Sequence, residues 1–206
     1  MANPKIAIGI PCMGSLPVEF FNSFIALRKP PATATVMSDA KPLDLARERI
    51  VEAALQYGAD YLLFLDSDTL PPADALEKML SRGGDIVGGL YFQRFPPFKP
   101  LLLRANDKGT YNYVWEWPEN SVVEVDATGL GCVLIKTDVF KKIERPWFQF
   151  GTFPDGRPLS EDYYFCKKAR AAGYKILVDT SIHAVHLGSI KIDYNFWKNN
   201  VVVEKE

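Results

Sequence analysis

The sequence predicts a three-layer α/β/α fold with a mixed, mostly parallel central sheet. Strand-like apolar runs alternate with amphipathic segments along most of the chain, which is the order of βα units packed on both faces of a sheet. Several runs are uniformly apolar, as suits strands buried on both sides. One of them, Tyr61-Leu62-Leu63-Phe64-Leu65, runs straight into Asp66-Ser67-Asp68. Carboxylates are costly to desolvate unless paired or bound to a cation, and the carboxyl end of a parallel strand is where α/β folds hold ligands.

Each element follows in order. Residues 5–10 form a short apolar strand stopped by Pro11. Residues 33–37 are β-branched and form a second strand, ending at Ser38-Asp39. Asp44 is placed to cap a helix that runs to about Tyr57. Its apolar stripe is Ala46, Ile50, Ala53, Ala54 and Tyr57, and Gly58 stops it. After the acidic strand, Pro71-Pro72 opens a helix through Leu76, Met79 and Leu80, closed by Gly83-Gly84. Residues 85–91 are another strand. Residues 92–120 change character, with Pro, Arg, Lys, Tyr and Trp in weak periodicity. Within them, 101–104 and 111–117 read as short antiparallel strands over one end of the sheet. Residues 122–125 and 131–135 are strands, and 138–142 begin a short helix. Ser160 caps a helix to Ala172, with Gly173 at its end, and 175–178 are the last core strand. No repeat or low-complexity linker divides the chain, so 1–206 reads as one domain. Its core covers about 5–190, and a C-terminal tail over 191–206 carries Tyr194, Phe196 and Trp197.

Composition narrows the class. A chain of 206 residues can bury a sizeable core. The net charge of −1 leaves no footprint for nucleic acid. No window reaches the apolar length of a membrane span, and the N-terminus lacks the pattern of a signal peptide. Cys12, Cys132 and Cys166 are scattered and odd in number, against a disulfide framework or a zinc site. A cytoplasmic setting is expected.

Four constellations could carry chemistry. Asp66 and Asp68 are the first. Thr69-Leu70-Pro71 makes a turn after them, and a division of labour follows: one carboxylate accepts from a ribose hydroxyl while the other holds a metal. Mg²⁺ and Mn²⁺ suit such a site, with one or two protein carboxylates and phosphate oxygens filling the rest. The second is Ser160-Glu161-Asp162. Acids in a first helical turn are ordinary partners of the helix dipole, yet one facing a cleft can serve as a general base. The third is His183 and His186, the chain's only histidines, with Gly188 beside them to permit a tight turn. A lone histidine is more often structural, but imidazole is a good ligand for Mn²⁺. The fourth is Thr128-Gly129-Leu130-Gly131, two glycines that allow close backbone approach to a ligand. It is not a dinucleotide fingerprint, and no phosphate-cradling Gly-Lys-Ser/Thr loop occurs.

In this order the motifs resemble the GT-A class of nucleotide-sugar glycosyltransferases, nearest to its family 2 group. Ile8-Gly9-Ile10-Pro11 resembles the opening strand and proline that contact the nucleotide. Leu45-Ala46-Arg47-Glu48-Arg49 resembles the Ala-Arg helix ahead of the acidic strand. Asp66-Ser67-Asp68, with its exit at Pro71-Pro72, resembles the DXD motif. Gly129-Leu130-Gly131-Cys132 resembles the glycine strand that flanks the acceptor. Glu161-Asp162 with Arg170-Ala171-Ala172-Gly173-Tyr174 resembles the Glu-Asp helix, and His186-Leu187-Gly188-Ser189 the late metal-binding histidine.

The resemblance implies a metal-dependent transfer of a sugar from a UDP- or GDP-sugar to a carbohydrate, lipid-linked or protein acceptor, with Mn²⁺ or Mg²⁺ as cofactor. It implies that Asp66, Asp68 and His186 hold the metal, that Asp162 is the base supported by Glu161, and that the anomeric centre inverts. Pro11, Asp39, Arg47, Asp66, Ser67 and Gly129 would contact the nucleotide sugar. Two departures bear on the base pocket: Ser38-Asp39-Ala40-Lys41 replaces the usual acidic-Gly-Ser cluster, and Arg47-Glu48 stands where many relatives have Arg-Asn. The family's common C-terminal extensions have no counterpart, which implies a near-minimal catalytic domain. The aromatic, basic stretch 91–95, with Phe98, Trp115, Trp117 and Trp147, is a candidate acceptor platform; core packing or a homodimer contact is the plainer account. Rival readings are a phosphatase of the haloacid dehalogenase type, a nucleotidyltransferase and a non-catalytic sugar-binding relative. The first wants Thr two places after the second Asp, whereas Thr69 follows directly. The second lacks its glycine-rich Arg loop.

Overall fold

Residues 4–12, 14–188 and 191–200 are described by a computed structural model. β1 (Ile6–Pro11) is buried along its whole length, because its apolar run has no polar face to turn to water. α1 (Val18–Ala26) leads to β2 (Thr33–Ser38), which is half-exposed at the sheet edge. α1 is absent from the sequence expectation. Val18, Phe21 and Ile25 are exposed, so its apolar residues do not mark one buried stripe. α2 (Leu43–Tyr57) begins one residue ahead of Asp44 and ends at Gly58, whose φ of 72° is the left-handed stop expected of it. β3 (Tyr61–Leu65) is the acidic strand. Beyond it the Thr69 N–H donates to the Asp66 carbonyl at 2.9 Å, closing a turn into β4 (Thr69–Leu70). α3 (Ala75–Arg82) follows the two prolines, and β5 (Ile86–Leu90) is fully buried.

The irregular stretch then forms the hairpin of β6 (Leu103–Ala105) and β7 (Tyr111–Tyr113). β8 (Val122–Val125) and β9 (Cys132–Lys136) rejoin the main sheet, and α4 (Thr137–Lys142) follows. β10 (Gly151–Thr152) and β11 (Pro158–Leu159) make a second hairpin that leads directly into α5 (Glu161–Ala171). β12 (Ile176–His183) runs well past the predicted strand end at residue 178. β13 (Val185–Leu187) and β14 (Lys191–Ile192) join β4 in a three-stranded sheet that the sequence pattern did not reveal. The tail becomes α6 (Tyr194–Asn200). Ser189 and the tail residues 201–206 lie outside the described residues.

The main sheet has seven strands in the order β2-β1-β3-β9-β5-β12-β8. β1 pairs parallel with β2 and β3, and β12 parallel with β5. β9 runs antiparallel between β3 and β5, and β8 antiparallel at the far edge. Only β8 and β9 oppose the common direction, so the sheet is mixed and mostly parallel.

The pleat sends alternate residues to opposite faces. Leu62 and Phe64 meet Ile50 and Ala54 of α2 and Phe165 of α5. Leu63 and Leu65 join the cluster of Phe20 from α1 and Leu76 and Met79 from α3. Helices therefore cover both faces, and the architecture is the predicted three-layer α/β/α. Gly9 lets α2 come close, since a Cβ there would stand 2.2 Å from the Ile50 γ2 carbon. Among the described residues no helix is long and apolar enough to cross a membrane.

Candidate active site

The carboxyl ends of β1 and β3, the first turns of α2 and α5, and β13 converge on a cleft of about 360 Å³. Pro11, Arg47, Asp66, Ser67 and Asp68 line it from the first half of the chain, and Glu161, Asp162 and His186 from the second. Two predicted residues stand apart. Asp39 is exposed just beyond β2 and is not part of the wall. Gly129 is buried, and a Cβ there would lie 2.2 Å from the Tyr91 hydroxyl oxygen. Its place is to make room for Tyr91, which accepts a hydrogen bond from the Gly131 N–H at 2.8 Å and forms part of the cleft.

Arg47 is the centre of the electrostatics. It is 1% exposed; its Nε donates to Glu161 Oε1 at 3.0 Å and its Nη2 to Asp66 Oδ2 at 3.1 Å. Burial opposes its charge, but the carboxylates of Asp66 and Glu161 outweigh that cost and raise its pKa. Two atoms remain unanswered. Among the described residues Arg47 Nη1 and Asp66 Oδ1 are buried without a hydrogen-bond partner, although Oδ1 lies 3.0 Å from Nη2 off the bonding direction. Asp66 points to Arg47 because it keeps the parity of Phe64, toward the face that carries α2 and α5.

Asp68 sits within the turn and belongs to a different group. Its Oδ2 takes an ion pair from Arg94 and lies 3.6 Å from His186 Nε2. β13 pairs with β4 so that His186 stands opposite Thr69, which brings the histidine across from the acidic turn. His186 Nδ1 is 2.7 Å from the Phe92 carbonyl oxygen. A carbonyl can only accept, so Nδ1 carries a hydrogen, and Nε2 faces Asp68 to share a proton or to give a lone pair to a cation. Burial favours the neutral acid at Asp68, yet His186 and Arg94 prevail and hold it below the usual carboxylate range. His183 is different: its Nε2 lies 2.8 Å from the Thr180 carbonyl oxygen and its ring stacks on Tyr194.

Among the described residues no group of three or more His, Cys, Asp or Glu side chains is clustered to hold a metal. The predicted set is divided, with Asp66 turned to Arg47 and Asp68 turned to His186 and Arg94. The donor types nonetheless suit a divalent cation: hard carboxylate oxygens, although those of Asp66 lie against Arg47, and an imidazole whose far nitrogen is fixed by a carbonyl.

Asp162 opens α5 beside Glu161. Its Oδ1 accepts from the Ser160 hydroxyl and from the Tyr163 N–H at 2.8 Å. The Ser160 hydroxyl is thus spent on Asp162 rather than on a helix cap, contrary to expectation. Burial, with the neighbouring Glu161 charge adding to it, pushes the Asp162 carboxyl up to about 7.

The predicted acceptor platform divides as well. Phe92 stacks on Trp197 at 4.8 Å, with Trp117 5.1 Å from the same ring, inside the core cluster. Trp147 is buried, donating its Nε1 to the Phe140 and Ile143 carbonyls. Trp115 lines an open recess. Two cleft residues, Arg94 and Tyr91, fell inside that predicted platform; their link to Asp68 and Gly131 depends on long-range contacts and leaves no local pattern.

Known proteins bear on the fold. The chain is similar to the crystal structure of A197 from STIV, with a TM-score of 0.63 and 23% identity over 98% of each chain. This shared fold spans nearly the whole of both chains. S. aureus TarS 1–349 in complex with UDP-GlcNAc aligns over 85% of this chain and 56% of that one, at 13% identity and a TM-score of 0.49. No protein-family model and no curated protein matches the sequence.

Proposed function

We propose that the protein is a metal-dependent glycosyltransferase that moves a sugar from a UDP- or GDP-sugar to an acceptor hydroxyl, with inversion. One observation carries the reading. A single cleft at the carboxyl edge of the sheet holds Asp66, Asp68 and His186, and with them a carboxyl, Asp162, whose pKa is pushed up to about 7. Asp68, His186 and a carboxylate oxygen of Asp66 would hold Mn²⁺ or Mg²⁺. A bound cation supplies a Lewis acid that neutralises charge on the departing diphosphate.

The chain's own residues do the rest. Arg47 is held charged by its carboxylates, and its buried, unpartnered Nη1 is a donor for an oxygen of the nucleotide. Pro11 and Ser67 line the cleft beside it. Asp162 takes the acceptor proton. A carboxylate with a pKa near 7 is a stronger base than an ordinary one and still ionised in good part at neutral pH. Ser160 and the Tyr163 N–H fix its orientation. Attack on the face opposite the leaving diphosphate inverts the anomeric centre. The phosphatase reading is less well supported, because Thr69 is fully buried and its hydroxyl is not presented to the cleft.

The test is release of nucleoside diphosphate from a panel of UDP- and GDP-sugars. Release should need Mn²⁺ or Mg²⁺ and be lost in Asp68→Ala. Phosphate freed from simple monoesters, with every nucleotide sugar left intact, would replace this reading with the phosphatase one.

A further inference from the structure

Two hairpins beside Asp162 enclose a second, larger recess. In the first, β6 and β7 pair with Leu103 opposite Tyr113 and Ala105 opposite Tyr111. Its turn is tied by Asn106, whose side-chain oxygen accepts from the Lys108 and Thr110 N–H groups at 3.1 Å each. The second hairpin, β10 and β11, runs into α5 and so ends at Asp162. A groove of about 670 Å³ is lined by Tyr111, Tyr113, Trp115 and Arg157. A smaller recess of about 220 Å³ shares Tyr111, Tyr113 and Arg157 with it and extends to Tyr163, the neighbour of Asp162. The larger volume lies within the usual range of small-molecule sites.

The aromatic residues are regularly placed. Tyr111 and Tyr113 lie on β7 and Trp115 follows two residues on, and all three line the groove. Tyr111 meets Tyr163 with ring centroids 5.7 Å apart, and Tyr113 lies 6.4 Å from Trp115. The rings form a row that leads outward from the residue beside the base. Hydrogen-bonding groups flank the row. Lys99 stands over the Tyr113 ring at 4.7 Å, Gln93 donates to the Tyr113 hydroxyl at 2.9 Å, and Asn112 is exposed at the rim. Flat apolar faces edged by amides and ammonium donors match a ligand built the same way, with apolar ring faces and hydroxyl edges. Glu116 and Asp155 also line the groove and offset two of its three cations, Lys99, Lys108 and Arg157, so it is no strongly basic track for a nucleic acid strand.

We propose that this groove binds an oligosaccharide chain, stacked on Tyr111, Tyr113 and Trp115, with one end directed to Asp162. That the chain is the sugar acceptor rests on the transferase reading; that the groove holds a saccharide does not. The experiment reads binding of the fluorescent full chain to arrayed chito-, cello-, malto- and manno-oligosaccharides and heparin fragments, without nucleotide. Wild type should bind at least one class. Trp115→Ala and Tyr113→Ala should weaken that binding by about tenfold or more, the equivalent of about 1.4 kcal/mol. Trp115→Phe, which keeps a ring, should retain most of it and guards against a folding defect. Lys141→Ala should bind as wild type does, since Lys141 is exposed on α4 and lies outside the groove. Binding of no class, binding unchanged in Trp115→Ala, or binding lost in Lys141→Ala would each overturn the proposal. Saccharide binding with no cleavage of any nucleotide sugar would instead sink the transferase reading and leave the groove standing.

Discussion

Arg47 and Glu161 face each other almost without water, and Asp66 takes the other side of the guanidinium. Removing one member of a buried pair leaves the other charge uncompensated, typically at about 3–5 kcal/mol. Arg47→Met should therefore lower stability by about that amount in urea unfolding, and adding Glu161→Gln should recover part of it. Asp162 makes a prediction of opposite sign in rate and in stability. As a base it must be ionised, so kcat/KM should fall about tenfold per unit below pH 7 and level off above it. Stability runs the other way. Its folded pKa is raised above the ordinary aspartate value of about 3.9, so between that value and about 7 the folded state keeps a proton the unfolded state has released. Stability should fall as pH rises through this window and flatten above it. Asp162→Asn should remove that slope and cut transfer by about 10²–10⁴-fold, with donor affinity unchanged. A near-native rate would dismiss Asp162 as the base.

At the level of elements, the acidic strand could be read from five apolar residues followed by two aspartates. Its partner β13 could not. Only three residues long, it is held as a strand by pairing with β4 on one side and β14 on the other. That pairing separates His183 from His186, the one the resemblance implies as a ligand. His186→Ala should weaken Mn²⁺ affinity in calorimetry, while His183→Ala should leave it near wild type; the reverse order would place the cation elsewhere. Glu48 gains a physical account in the same way. Its Oε1 accepts the Trp147 N–H and, at 3.0 Å, the Phe148 N–H, while its Oε2 pairs with Arg145. It holds the chain between α4 and the second hairpin, a task visible only across the fold. α1 was illegible because Val18, Phe21 and Ile25 are exposed.

At the scale of the whole molecule, the cleft draws on both halves of the chain. Arg47 and Asp68 lie far in sequence from Asp162 and His186, so a ligand that spans the cleft ties the sheet's two halves together. Such a ligand stabilises the native state by mass action, about 2.7 kcal/mol at a concentration 100-fold above its Kd. A UDP- or GDP-sugar with Mn²⁺ should raise the melting temperature more than either component alone. Asp68→Ala should abolish the gain; a gain that survives would mean the nucleotide binds without the proposed cation.

By itself the sequence determined the layered fold, the ends of most core strands and helices, and the residue types of the cleft, because apolar period, glycine stops and charge at a strand end are local signals. Tertiary structure alone decided which carboxylate meets which cation, that Arg94 reaches Asp68, that Gly129 makes room for Tyr91, and that Trp115 faces an open groove. Those outcomes depend on strand order and register across separations from 19 residues for Arg47 and Asp66 to 114 for Arg47 and Glu161, and no local pattern encodes a contact whose two sides are brought together only when the sheet closes.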